Sequence, residues 1–275
     1  LRRSLGDEPG RPRFIETVPK HGYRFIAAVE RTTVDLPSRM DRSTAGVGSA
    51  PETSIWRAAR RGALGGAAAG LPVGVFYGLA GAPSALDGGM GATSVLLGLV
   101  ALVATLGALA GSAVAWGAAA ASRRRDAWWR WVGGGGLAGL LLGGAGEVFG
   151  LDAFTLLFGR APADMTGAFE GVLIGAAAGL AIALARRASP AYAPWFAGLP
   201  GAVIGAIVPM LGGRMLGGSL AALAASFPAS RMDLSRLGEL TGEPGFGPIA
   251  QSLTGALEGA LFTGGVALAL RLTRR

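Results

Sequence analysis

From Ile55 to the C-terminus, apolar residues do not alternate with polar ones at a strand period or confine themselves to one helical face; they run on, broken only by short polar groups. A bilayer core takes about 20 mostly apolar residues per helix, and six stretches reach that length. They predict helices near 62–86, 93–121, 132–151, 167–185, 194–213 and 252–270. Residues 215–227 stay apolar but are too few to cross before the polar segment at 230–248, so they predict a helix that lies on the outer surface or re-enters the membrane. Ahead of Ile55 the pattern changes. Residues 31–54 are rich in Ser, Thr, Pro and Gly without a sustained period, and predict a flexible linker spanning ~27 Å as a coil. In residues 1–30, Leu1 and Leu5 share a helical face that Gly6 would close. Two β-prone runs, Phe14-Ile15-Glu16-Thr17-Val18 and Tyr23-Arg24-Phe25-Ile26-Ala27, then flank Pro19-Lys20-His21-Gly22 and predict a hairpin.

Composition agrees with a membrane chain. Of 275 residues 48 are Gly and only 15% are charged, with 51% hydrophobic and a mean hydropathy of +0.47; an ordinary soluble domain has about 25% charged residues and about 7% Gly. A soluble single-domain enzyme is thereby disfavoured. The glycines recur at four-residue spacing, as in Gly62, Gly66, Gly70 and Gly74 or Gly171, Gly175 and Gly179, which lets helix backbones approach closely in lipid. The expected class is mainly α, with a six-helix transmembrane bundle over 55–275.

Charge sets the expected orientation. The formal net charge is +8, and Lys20 is the single lysine among 25 basic residues. Such an excess suits nucleic acid or an anionic membrane surface. With six crossings, Arg57, Arg60, Arg61, Arg123, Arg124, Arg125, Arg130, Arg186, Arg187, Arg271, Arg274 and Arg275 fall on one side, and only Arg160, Arg214, Arg231 and Arg236 on the other. The positive-inside rule then puts both termini in the cytoplasm of a multi-pass protein of a bacterial inner membrane, with Trp128, Trp129, Trp131 and Trp195 as interfacial anchors. An internal repeat supports the even count: 167–187 (GAFEGVLIGAAAGLAIALARR) and 255–275 (GALEGALFTGGVALALRLTRR) match at 10 of 21 positions, including a Glu and the final Arg pair. The fourth and sixth helices therefore run in the same direction, and the last two hairpins look like parallel duplicates.

Candidate chemistry is sparse. There is no Cys and one His, His21, so disulfides, thiolate nucleophiles and His- or Cys-built metal centres have no donors. No nucleophile-base pair is evident, and Gly133 to Gly136 lacks the Gly-Lys-Ser/Thr of a phosphate loop. The chain is not expected to be an enzyme or to carry a cofactor or metal. What remains is a set of intramembrane acids, Glu147, Glu170 and Glu258, each expensive in lipid and each in need of a partner. Arg160 and Arg214 are the expected partners, and the five residues form a candidate sensor of protons or of an unidentified ligand. The plainer alternative makes Glu170 and Glu258 anions in the first turns of outward-starting helices, stabilised by the helix dipole and headgroup water.

The wording of the first 30 residues, LRRSLGD followed by RFIETVPKHGYRF, resembles the end of the winged-helix effector domain of OmpR/PhoB-type regulators, and most closely their CadC/ToxR-like membrane branch. The resemblance implies that residues 1–5 end the recognition helix, that 14–27 form the wing, that the rest of the domain lies upstream of Leu1, and that no phosphoacceptor receiver precedes it. Contacts to duplex DNA would fall on Arg2, Arg3, Thr17, Lys20, His21, Tyr23 and Arg24, mostly to phosphate. The expected function is a membrane-anchored one-component transcription regulator, homodimeric on DNA, whose helical bundle anchors it and senses a signal. The alternative is a small transporter or channel with an appended DNA-binding head.

Overall fold

A computed structural model describes residues 7, 10, 12–20, 22–28, 52–81, 90–123, 127–162, 166–227 and 232–271. The chain divides into two compact units, residues 1–49 and 50–275.

In the first unit, β1 (Ile15–Val18) and β2 (Gly22–Phe25) pair antiparallel in the register Ile15↔Phe25, Glu16↔Arg24, Thr17↔Tyr23 and Val18↔Gly22. The reversal needs left-handed backbone, which Lys20 (φ 62°) and Gly22 (φ 103°) provide. The buried Asp7 carboxylate fixes the entry to β1, accepting hydrogen bonds from the backbone N–H of Arg13 (2.6 Å), Phe14 (3.3 Å) and Ile15 (2.8 Å). The expected helix end at residues 1–5 lies outside the described residues, as does most of the expected linker.

The second unit contains α1 (Glu52–Ala80), α2 (Met90–Ala121), α3 (Trp128–Phe158), α4 (Ala168–Ala185), α5 (Ala193–Met210), α6 (Leu216–Ser226), α7 (Ser235–Glu239) and α8 (Pro248–Arg271). All but α6 and α7 are long and apolar enough to cross a membrane, which makes this a multi-pass membrane protein. Several helices overrun their apolar stretches: α1 starts ten residues before Gly62, and α3 continues through Glu147 and Asp152 to Phe158. Hydrophobicity marks the part of a helix that lipid can cover, whereas the backbone ladder continues until a cap or turn stops it. In α3 that stop is Gly159, in left-handed conformation (φ 69°), whose N–H closes on Thr155 O at 2.9 Å.

Three antiparallel hairpins build the bundle, α1 with α2, α3 with α4, and α5 with α8. Contacts α2 to α3, α4 to α5 and α8 to α1 close them into a ring, and α4 touches α8 across it. Each hairpin is zipped by facing glycines: Gly62 with Gly111 and Gly66 with Gly107, Gly135 with Gly175 and Gly139 with Gly171, Gly201 with Gly259 and Gly205 with Gly255. A Cβ built on any of these would collide with the facing glycine's carbonyl, so the helices meet backbone to backbone. The second and third hairpins are equivalent position by position. Gly139 and Gly143 of α3 correspond to Gly201 and Gly205 of α5 at an offset of 62, and Gly167 and Gly171 correspond to Gly255 and Gly259 at an offset of 88. The repeat seen in 167–187 and 255–275 therefore extends to both helices of a hairpin.

The apolar segment at 215–227 is the 11-residue α6, ~16 Å long at 1.5 Å per residue and too short to cross. Its Gly217, Gly218, Ser219, Leu220 and Ala222 are buried. Leu220 packs with Val73 and Tyr77 of α1, Leu99 and Val103 of α2, and Leu234 and Leu237 at α7. Thus α6 is seated in the bundle and does not lie free on its surface.

Candidate functional site

Glu258 is the eleventh residue of α8, so its position corrects the expectation that it occupies a first turn. Helix α8 begins at Pro248, eight residues before the position equivalent to the start of α4, and its own turns already use the N–H groups near Glu258. The carboxylate turns to another helix. One oxygen accepts from Leu216 N–H (2.8 Å), and the other accepts from Gly217 N–H (3.0 Å) and from the Tyr77 hydroxyl. Leu216 and Gly217 open α6, where backbone donors lack intrahelical acceptors and the dipole favours an anion. Gly217 is required sterically, since a Cβ there would strike the Tyr77 hydroxyl. Tyr77 is 1% exposed and Glu258 7%.

Glu170, third residue of α4, does lie in a first turn. It accepts from Gly167 N–H at its own helix start (2.9 Å) and from Arg214 N–H across the bundle (3.1 Å). The duplicated acids thus converge on one short segment, Glu170 at Arg214 and Glu258 at Leu216 and Gly217. Thr166 ties the same segment to the start of α4: its hydroxyl donates to Arg214 O (2.8 Å) and contacts the Ser219 hydroxyl (2.7 Å), which also accepts from Thr166 N–H (3.0 Å). Glu147 accepts from Ala168 N–H at 3.3 Å, again at the start of α4, where Gly167 leaves room for it.

Of the expected Arg partners, one meets an acid, through its backbone. Arg214 gives its backbone N–H to Glu170, and the Arg160 guanidinium lies 4.7 Å from the centre of the Phe227 ring. Ten residues into α8, Glu258 is ~15 Å from that helix's start and ~20 Å from Arg271, at 1.5 Å per residue. Helix α6 therefore begins beside the middle of α8 and the start of α4.

Glu243, between α7 and α8, repeats the device outside the spans. It accepts from Ile249 N–H (2.9 Å) and Ala250 N–H (2.8 Å) at the start of α8 and from the Thr241 hydroxyl (3.0 Å). Partial desolvation pushes its carboxyl up, but these hydrogen bonds outweigh it and hold the group below its ordinary range. The backbone and side chain of Ser235 likewise hold Asp233 down, its Oδ1 accepting from Ser235 N–H at 2.8 Å.

At the arginine-rich end, cations meet helix C-termini and aromatic rings. Arg271 donates to Ala185 O and Ala188 O, closing the end of α4. Trp128, Trp129 and Trp195 are exposed as an interfacial anchor requires, while Trp131 is buried with Arg186 4.4 Å from its ring centre, and so is a packing residue.

Of the expected DNA contacts, Thr17 and Lys20 are exposed on the hairpin, and Tyr23 is 76% exposed. Arg24 is engaged across the strands, donating to Glu16 at 2.6 Å. Arg2, Arg3 and His21 lie outside the described residues. Among the described residues no group of three or more His, Asp or Glu could hold a metal ion. Tyr77 is the site residue that sequence reasoning missed; a lone phenol inside the uncharged run 62–86 was the available signal. No family model, curated protein or solved structure matches the chain.

Proposed function

We propose that this chain is the membrane part and wing of a membrane-anchored one-component transcription regulator of bacteria, with the bundle as anchor and sensor. The observation that carries the reading is the hairpin, an antiparallel pair in the place where the RFIETVPKHGYRF wording calls for a wing, with Lys20 exposed at its turn. A basic hairpin tip of that kind reaches DNA phosphate or the minor groove beside a recognition helix. The arginine-rich end of the bundle supports a cytoplasmic location for the head, at the inner membrane, with both termini inside. Partners in this reading are duplex DNA, the lipid bilayer and a second copy on DNA.

The test uses the protein with its upstream residues and measures duplex binding against salt. Affinity should fall steeply with salt, and Lys20→Ala should weaken binding on all sequences while reducing the log–log salt slope by about 1. Arg24→Ala should cost less than Lys20→Ala, because Arg24 is already engaged by Glu16. Unchanged affinity and slope after removal of the hairpin would sink the wing assignment.

A second reading, a small transporter or channel with a regulatory head, draws on the duplicated hairpins and on buried carboxylates well inside the bundle. Solute flux in proteoliposomes separates the two.

A further inference from the structure

We propose that Glu258 and Tyr77 form a proton-operated latch on α6: the charged carboxylate holds the start of that helix inside the bundle, and proton uptake releases it. Donors and acceptors at the site decide this. All three partners of Glu258, namely Leu216 N–H, Gly217 N–H and the Tyr77 hydroxyl, act as donors. A neutral carboxyl brings a fourth hydrogen into a site that already has three. The two backbone N–H groups cannot reverse. The Tyr77 hydroxyl can accept only by turning its own hydrogen away from Glu258. Protonation therefore either leaves a buried O–H with no acceptor among these partners or turns the Tyr77 hydrogen away, and it also removes the negative charge that the α6 dipole faces.

The surroundings suit a movable helix. Helix α6 is preceded by Gly212, in left-handed conformation (φ 83°), and by Gly213, and its further polar tie is the pair Ser219 and Thr166. The groups that face the latch are few. Helix α1 contributes Tyr77, its arginines being at the far end; α4 contributes Glu170; the α5 to α6 connection contributes Arg214; α2, α5 and α6 carry no charged residue. Beyond the start of α8 lie Asp233, Arg236, Glu239 and Glu243, and Glu147 sits at the start of α4. Glu170 binds Arg214 N–H two residues before Leu216, so the two carboxylates hold neighbouring positions of one segment.

The latch goes beyond the regulatory reading and needs no DNA, so its failure leaves that reading untouched. The chain has no Cys, which permits single-thiol reporters. Ala222→Cys places a thiol on the buried face of α6, and Leu240→Cys, at a site 84% exposed, serves as reference for the pH dependence of the reagent itself. Full-length protein in liposomes is labelled with a membrane-impermeant maleimide between about pH 8 and about pH 5. The ratio of labelling in Ala222→Cys to labelling in Leu240→Cys should rise about tenfold on acidification, in proportion to the released population. With Glu258→Gln added it should be high throughout. Tyr77→Phe, which keeps the carboxylate and removes one donor, should raise the ratio at the alkaline end, and it serves as the second variant if Glu258→Gln does not fold. A ratio independent of pH in the parent overturns the latch. So does a pH response that survives in Glu258→Gln.

Discussion

A carboxylate inside an apolar bundle must find donors, and here it finds them at helix starts. Glu147 and Glu170 serve the start of α4, Glu258 that of α6 and Glu243 that of α8. In three of these places glycine clears the space: Gly167 beside Glu147, Gly213 beside Glu170 and Gly247 beside Glu243. Tyr77→Phe should therefore destabilise the bundle by about 1.5–3 kcal/mol, the usual worth of a hydrogen bond to a charged group, read by thermal unfolding in detergent. Glu243 gives a pH prediction with a definite sign. Its folded pKa lies below the ordinary value of 4.5, so its contribution is complete above that value and is lost as pH falls through the folded value. Protection of the Ile249 and Ala250 amides, corrected for intrinsic exchange, should be flat from neutral pH down to that point and then decline; in Glu243→Gln it should be low throughout. The acids themselves were legible as charges in apolar runs. Their partners were not, because a helix start becomes a donor site for a distant Glu only after packing brings the two together.

Spacing alone showed that the helices would pack through small residues, and the ladders bear this out at Gly62 and Gly66, and at Gly171 and Gly175. Which glycine faces which, and which face lipid alone, required the hairpin pairing. Gly146 of α3 has nothing near a built Cβ, whereas Gly201 of α5 abuts Gly259. Gly201→Ala should cost about 1–3 kcal/mol through forced helix separation. Gly146→Ala should be neutral or stabilising by up to about 1 kcal/mol, from helix propensity. Equal effects in a thermal-shift comparison would show that the ladder does not set the packing distance. Helix ends were read less well than helix number. The overrun of α3 to Phe158 and the early start of α8 at Pro248 are governed by Gly159 and by the Glu243 cap, neither of which hydrophobicity registers.

At the scale of the molecule, charge and dipole agree at α4, with Glu170 in its first turn, and at α8, with Arg271 in its last, whereas the arginines of α1 and α3 lie near helix starts. Reporters fused after residues 125, 187 and 275 should all indicate one compartment, and those after 87, 164 and 244 the other; a C-terminal reporter on the second side would break the six-crossing arrangement. The offsets of 62 and 88 between equivalent hairpin positions differ by 26 residues, the length that α6, α7 and their connections add between α5 and α8. Read as ancestry, that difference is the mark left when one of two copied hairpins takes in new sequence. In the copy without it, the glutamate still caps its own helix; in the copy with it, the same glutamate has been recruited to hold the newcomer. A duplicated residue with two unlike duties is free to diverge in each, so the pair should tolerate different replacements even though they began as one.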